Sequence, residues 1–224
     1  MLSLDLCSQK DRPLKLLCLG AHADDIEIGC GGTVLALQEK YPHIEVRWVV
    51  FSGTGVRAEE AHHSAELFLA RVVHKQIEVQ SFRDSYFPAQ WEEIKNAFAE
   101  LKSFVPDLVL THYHDDLHQD HRVVSKLTWN AFRDHMILEY EIPKWDGDLG
   151  RPNFYVPIEH RLCHQKIGNL LSAFESQSSK QWFDQETFMS LLRLRGVEAN
   201  ARYAEAFYAR KLSLDSLALC PADR

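Results

Sequence analysis

The sequence predicts an α/β fold, Rossmann-like, with a mostly parallel sheet flanked by helices on both faces. Three observations predict it. Short apolar runs alternate with segments of helical period from residue 14 to about 135. The first run is apolar nearly throughout rather than at every second residue, as expected of a strand covered on both sides. Helix-forming segments separate successive strand candidates, which is the pattern of βαβ units. A chain of 224 residues with 46% hydrophobic content can bury one sizeable core, so a single domain over 1–224 is expected, its core at about 14–135 and a long loop and C-terminal elements at 136–211.

"LKLLCLGA" (14–21) is the first strand. Gly29, Gly31 and Gly32 then open the helix "TVLALQEKYP", which stops at Pro42. "IEVRWVVFS" (44–52) is the second strand, and Ala58, Ala61, Ala65, Phe68, Leu69 and Val72 recur at helical spacing after it. "KQIEVQSF" is the third strand. Trp91, Ile94, Phe98, Leu101 and Phe104 mark an amphipathic helix that ends near Pro106. "PDLVLTH" (106–112) is the fourth strand, followed by a helix from about Asp120 to His135. Beyond residue 136 the pattern loosens, and "EYEIPKWDGDLGRPNFYVPIEH" reads as a long ordered loop. Helices follow at about His160–Phe174 and between Asp184 and Gly196, and "ARYAEAFYARKL" is strand or helix.

Composition excludes several classes. The formal net charge is −7 with no block of like charge, which argues against a nucleic-acid binder, since that needs a basic face. Cys7, Cys18, Cys30, Cys163 and Cys220 are odd in number and lack paired spacing, which favours reduced thiols over a disulfide framework. The N-terminus "MLSLDLCSQKDRP" has no apolar signal-peptide core, and no run approaches the ~20 apolar residues of a membrane span. A cytoplasmic protein is expected.

Charge gathers where such a fold places function. His22, Asp24 and Asp25 follow the first strand, while His112, His114, Asp115, Asp116, His118, Asp120 and His121 follow the fourth. In open parallel sheets, functional groups collect beyond the carboxyl ends of the strands, so topology brings the two clusters together. Two histidines and a carboxylate with one open position form the ligand set of a catalytic zinc or ferrous site. A divalent cation would also offset the repulsion and desolvation of so many acids at one edge. The plain alternative is a solvated loop with helix-capping aspartates.

These residues also carry a family likeness. "AHADDIEIGCGGT" resembles the AHPDD signature of the PIG-L/LmbE-like deacetylases, and "DLHQDHR" resembles their HxDH signature. "GVRAEEAHHSAELF", "FRDSYFP" and "ARYAEAF" resemble further family segments, so the likeness spans roughly residues 14–210. The resemblance implies a zinc-dependent N-deacetylase: His22, Asp25 and His121 bind the metal, usually Zn²⁺ (Fe²⁺ or another divalent ion would fit the same set). It implies that Asp24 is the general base for zinc-bound hydroxide attacking the amide carbonyl. His118 assists the intermediate or the leaving amine, and Asp120 is an outer acid orienting an imidazole. Arg57 and Asp84 match substrate-contacting positions. The implied substrate is an N-acetylated amino sugar or glycoconjugate, with no nucleic acid and no membrane span, and a homo-oligomer is compatible with the sequence. Ala23 departs from the family's proline, and Asp116 stands where some relatives carry a tyrosine.

Weaker candidates have ordinary readings. Glu27 and Glu205 fit structural hydrogen bonds, the "GCGG" glycines fit close helix–strand approach, and His62 and His63 fit a solvated helix face. His112 and His114 line the site at most, while Trp145, Phe154 and Tyr155 would stack on a sugar ring or simply pack. Two rivals remain: a non-catalytic sugar- or nucleotide-binding α/β module, which would tolerate loss of Asp24, and a non-haem iron enzyme, which would need oxygen.

Overall fold

The computed structural model describes residues 12–213. Seven strands form one sheet in the order β3-β2-β1-β4-β5-β7-β6. Strands β1 (Lys15–His22), β2 (Glu45–Ser52), β3 (His74–Val79), β4 (Leu108–His112) and β5 (Met136–Tyr140) are mutually parallel. β7 (Ala204–Tyr208) runs antiparallel to both β5 and β6 (Phe154–Pro157). The sequence-derived core ended too early: Met136–Tyr140 is a strand of the sheet rather than the start of a loop. The long loop also contains β6, and "ARYAEAFYARKL" resolves to a strand.

Alternation along the strands splits the core in two. Leu16, Cys18, Val46, Trp48 and Val50 face one side, against α1 (Asp25–Lys40), α2 (Val56–Phe68), α5 (His160–Ala173) and α6 (Gln185–Glu198). Leu17, Leu19, Ala21, Val49 and Phe51 face the other, against α3 (Trp91–Leu101) and α4 (Gln119–Ala131). Period-two burial on both faces is what a sheet sandwiched between helices requires.

Helix α1 lies close to the sheet because its glycines permit it. A Cβ on Gly29 would stand 2.2 Å from the Tyr140 ring, and one on Gly32 would stand 2.9 Å from a Glu205 carboxylate oxygen. Cys18, Cys30 and Cys163 are free and buried, while Cys7 and Cys220 lie outside the described residues. The N-terminal segment through residue 11 also lies outside them. Among the described residues no helix is long and apolar enough to cross a membrane.

Candidate metal centre and active site

The strand order reverses between β1 and β4, whose carboxyl ends open a crevice at that switch point. Both charged clusters lie there. His22 ends β1, Asp24 and Asp25 begin α1, His118 is the N-cap of α4, and Asp120 and His121 lie in its first turn. The His22 Nδ1 and His121 Nε2 atoms are 3.2 Å apart. Asp25 Oδ2 is 3.4 Å from His22 Nδ1, and Asp25 Oδ1 is 3.5 Å from His121 Nε2. Donors at about 2.1 Å from a tetrahedral ion stand roughly 3.4 Å from one another, and each of these contacts is of that length, although Asp25 turns a different oxygen to each imidazole. His118 with His22 and His121, and His112 with Asp25 and His121, form overlapping donor groups.

Each imidazole is held from behind by a carboxylate. Asp120 Oδ2 lies 3.2 Å from His22 Nε2, and its two oxygens accept the backbone N–H groups of Ser85 and Phe87 at 2.6 and 3.1 Å. Asp116 Oδ2 lies 2.9 Å from His121 Nδ1. Such partners fix the tautomer and orientation of a metal-binding histidine. Asp84, with an exposed side chain, places Oδ1 3.2 Å from His22 Nε2 at the mouth of the crevice. His118 Nδ1 accepts the Asp120 N–H at 3.3 Å, which puts the proton of a neutral His118 ring on Nε2.

On the remaining side of the site one arginine meets two carboxylates. Arg57 Nη2 donates to Asp24 Oδ1 at 2.8 Å, and its Nη1 reaches Glu60 Oε2 at 3.4 Å, with the guanidinium over the Phe174 ring. Arg57 is therefore tied to the predicted base rather than extended to solvent. Glu60 is itself fixed by the N–H and hydroxyl of Ser176.

The charges act on one another. Burial alone would lower the pKa of His22, but Asp25 and the hydrogen bonds to Asp120, Asp25 and Asp84 raise it well above the usual histidine value. His121 is pushed down to about 4 by burial, with His112 adding to the effect. Burial opposes ionisation of Asp25 and Asp116, yet neighbouring imidazoles hold both below the usual carboxylate range. The hydrogen bond from His22 does the same for Asp84. Burial also lowers His118, helped by the charge on His22. Beneath the site, burial raises Glu27 to about 8, a neutral acid at pH 7, with Asp24 and Asp25 adding to the shift.

His22, Asp24, Asp25, Arg57, Asp84, His118, Asp120 and His121 thus come together in one crevice. His112 is fully buried, its ring stacked 3.9 Å from that of His121, and its Nε2 accepts the Ala21 N–H at 2.9 Å. His114 instead pairs with Glu139 at 2.6 Å. His62 and His63 are exposed on α2. Phe154 and Tyr155 lie on edge strand β6, where the Tyr155 hydroxyl bonds Pro152 O and Glu198. Trp145 is 75% exposed. Sequence reasoning missed the carboxylate behind His121. Asp116 was visible as a member of the charged loop and as a departure from the family pattern, but its pairing with His121 was not foreseen.

Comparison with known proteins now decides the family. The model of the GlcNAc-PI de-N-acetylase (PIG-L) family matches residues 17–132, just over half of the chain. The chain belongs to the PIG-L family. It is 29% identical over 150 residues to the uncharacterized deacetylase YaiS of Escherichia coli (strain K12), covering 62% of this chain and 79% of that protein. N,N'-diacetylchitobiose deacetylase from Pyrococcus horikoshii, solved with its inhibitor MPG, superposes with a TM-score of 0.69 at 23% identity, covering 91% of this chain and 86% of that one. GalB, the 4-carboxy-2-hydroxymuconate hydratase of Pseudomonas putida KT2440, superposes with a TM-score of 0.71 at 17% identity, covering 92% of this chain and 100% of that one. The two superpositions establish the fold. They also show it carrying two different reactions, so the reaction must be argued from the site.

Proposed function

We propose that this PIG-L family member is a metal-dependent deacetylase that removes the N-acetyl group from an amino sugar or a glycoconjugate precursor. The observation that carries the reading is the meeting of His22 and His121 ring nitrogens 3.2 Å apart, with one Asp25 oxygen 3.4 Å from the first and the other 3.5 Å from the second, and with Asp24 as the sequence neighbour of Asp25. In this reading those three residues hold the cation, with Zn²⁺ the first choice. When bound, the ion lowers the pKa of a water towards ~7 and polarises the acyl carbonyl.

The chain's own groups do the rest. Asp24 accepts a proton from the attacking water, whose oxygen bonds the carbonyl carbon. Arg57 orients Asp24 through its 2.8 Å bond to Oδ1. His118 presents Nε2–H to the developing oxyanion, worth on the order of 3 kcal/mol for a well-placed donor. The carbon–nitrogen bond then breaks, the nitrogen takes up the proton first accepted by Asp24, and a free amine leaves with acetic acid, which ionises to acetate by giving its proton to solvent or the amine. Asp120 orients His22 throughout. Asp84, exposed at the mouth, is suited to sugar hydroxyls. Arg57 reaches the substrate through the Asp24 side of the crevice.

The test is acetate release across a panel of N-acetyl sugars, with and without a chelator and added Zn²⁺. Chelation abolishes release and Zn²⁺ restores it. Undiminished turnover after complete metal removal would overturn the mechanism. An oxygen requirement would favour an iron enzyme, and function untouched by Asp24→Ala would favour a binding module.

A further inference from the structure

Between β5 and β6 the chain forms a strap, residues 141–153, and its single lysine, Lys144, enters the site. Lys144 Nζ lies 2.9 Å from Asp116 Oδ2, the oxygen that also bonds His121 Nδ1 at 2.9 Å. Lys144 pairs as well with Asp148, whose Oδ2 accepts the Leu117 N–H at 2.8 Å. The Lys144 and Asp148 side chains are only 9% and 7% exposed. Charged side chains on loops ordinarily stay in water, so burying both here implies a purpose. The far end of the strap is fastened too. The Gly150 N–H donates to the Tyr208 hydroxyl at 2.9 Å, and the Ala209 N–H donates to Asn153 Oδ1 at 2.8 Å.

We propose that Lys144 is a positioning residue for the metal centre: by sharing one Asp116 oxygen with His121 it fixes that ring, and it couples the order of the strap to loading of the site. The proposal rests on the reading of His121 as a ligand. Asp116 is held from three directions: His121 and Lys144 reach Oδ2, and the His118 N–H donates to Oδ1 at 2.8 Å. Without Lys144 the buried carboxylate keeps only an imidazole and one backbone donor, and nothing on the strap side stops it rotating away from His121. Partners behind a metal ligand set its affinity by about 10–100-fold. Linkage makes the effect reciprocal: if an ordered strap tightens ion binding, the ion orders the strap by the same factor.

The experiment uses the full chain and Zn²⁺ alone, with affinity read by competition against a chromophoric chelator. K144M binds Zn²⁺ roughly tenfold more weakly than the parent, and K144R recovers most of the loss, because a guanidinium fork can span both Asp116 and Asp148. The K144M/D116N double variant binds no more weakly than D116N alone, since both changes act through one oxygen. Hydrogen exchange at residues 144–150 slows when the parent is saturated with Zn²⁺ and does not respond in K144M. Affinity of K144M within twofold of the parent, or losses that multiply in the double variant, would overturn the proposal. If K144M does not fold, exchange in the parent decides it: a strap indifferent to Zn²⁺ overturns it. H121A separates the two readings. Loss of Zn²⁺ binding there, alongside an unaffected K144M, refutes the role of Lys144 alone, whereas undiminished binding by H121A removes the ligand assignment and the proposal with it.

Discussion

The protein buries charge in two places and treats it differently. Around α1, α5 and α6 the buried Lys166, Glu205, Arg195 and Glu141 have fixed partners, whereas the Glu27 carboxyl on α1 is buried without one. Lys166 Nζ lies 2.7 Å from Glu205 Oε1 and also donates to Ile28 O at 2.7 Å. The Glu205 oxygens accept the Gly32 and Thr33 N–H groups at 2.8 and 2.6 Å, so the pair is inserted at the backbone of α1. Arg195 meets Glu141 through two bonds of 2.7 Å. At the β1–β4 switch point the balance fails. Asp24, Asp25, Asp84, Asp116 and Asp120 gather around Arg57 and Lys144 as the fixed cations, with the histidines supplying the rest. Matched buried charge organises the fold, whereas surplus negative charge beside imidazoles suits a divalent cation and proton transfer. The Glu205 reading expected from the sequence, a structural hydrogen bond, belongs to the first kind.

The contrast predicts opposite responses to single substitutions. Asp24→Asn lowers kcat by about 10²–10⁴, the usual worth of a general base. It leaves Zn²⁺ affinity within about threefold and costs less stability than breaking a fully buried pair, because Arg57 is 27% exposed and keeps Glu60 as a partner. Acetate release, chelator competition and a thermal scan check the three parts. A large loss of stability would move Asp24 into the structural class.

Glu205→Gln should do the reverse. It leaves Lys166 buried without its counter-charge, at about 3–5 kcal/mol, read as a lower urea midpoint. Arg195→Met falls in the same range. Catalysis per folded molecule stays near that of the parent, because neither residue touches the crevice. Gly29→Ala comes next, at about 1–3 kcal/mol, since the new methyl must displace the Tyr140 ring from 2.2 Å. This substitution also tests the border between the two regions. The Tyr140 hydroxyl donates to Leu19 O at 2.6 Å and lies 3.2 Å from His112 Nε2, so Zn²⁺ affinity weakens along with stability.

Much of this was legible in the chain. The parallel strands announce themselves as apolar runs because helices cover both faces, and the two charged clusters are marked by their place just past two such runs, while the choice of His22, Asp25 and His121 within them rests on the family resemblance. The missed elements lack that signal for physical reasons. In β5, "MILEY", Glu139 is wholly buried, yet it reads as polar because its partners, His114, Trp129 and Arg210, come from elsewhere in the chain. β6 is a four-residue edge strand ending in proline, and β7 carries Glu205, whose partner Lys166 is 39 residues away. Lys144, and the pairing of Asp116 with His121, were opaque for the same reason. Nothing at residue 144 signals a role until the strap folds back over the β4–α4 loop.

The smallest predicted effect isolates burial from geometry. Arg12 meets Asp107 through two bonds of 2.8 and 2.6 Å, nearly the same bidentate arrangement as Arg195 with Glu141. The difference is solvent: the Arg12 side chain is 52% exposed and that of Arg195 is 5%. Water competes for the first pair and solvates Asp107 when the arginine is removed, so Arg12→Ala costs about 0.2–1 kcal/mol. Arg195→Met strands Glu141 in the interior and costs several times more. Urea titrations of the two variants make the comparison directly. Equal losses would mean that bidentate geometry, not burial, sets the cost, and the distinction between matched and surplus charge would then lose its energetic basis.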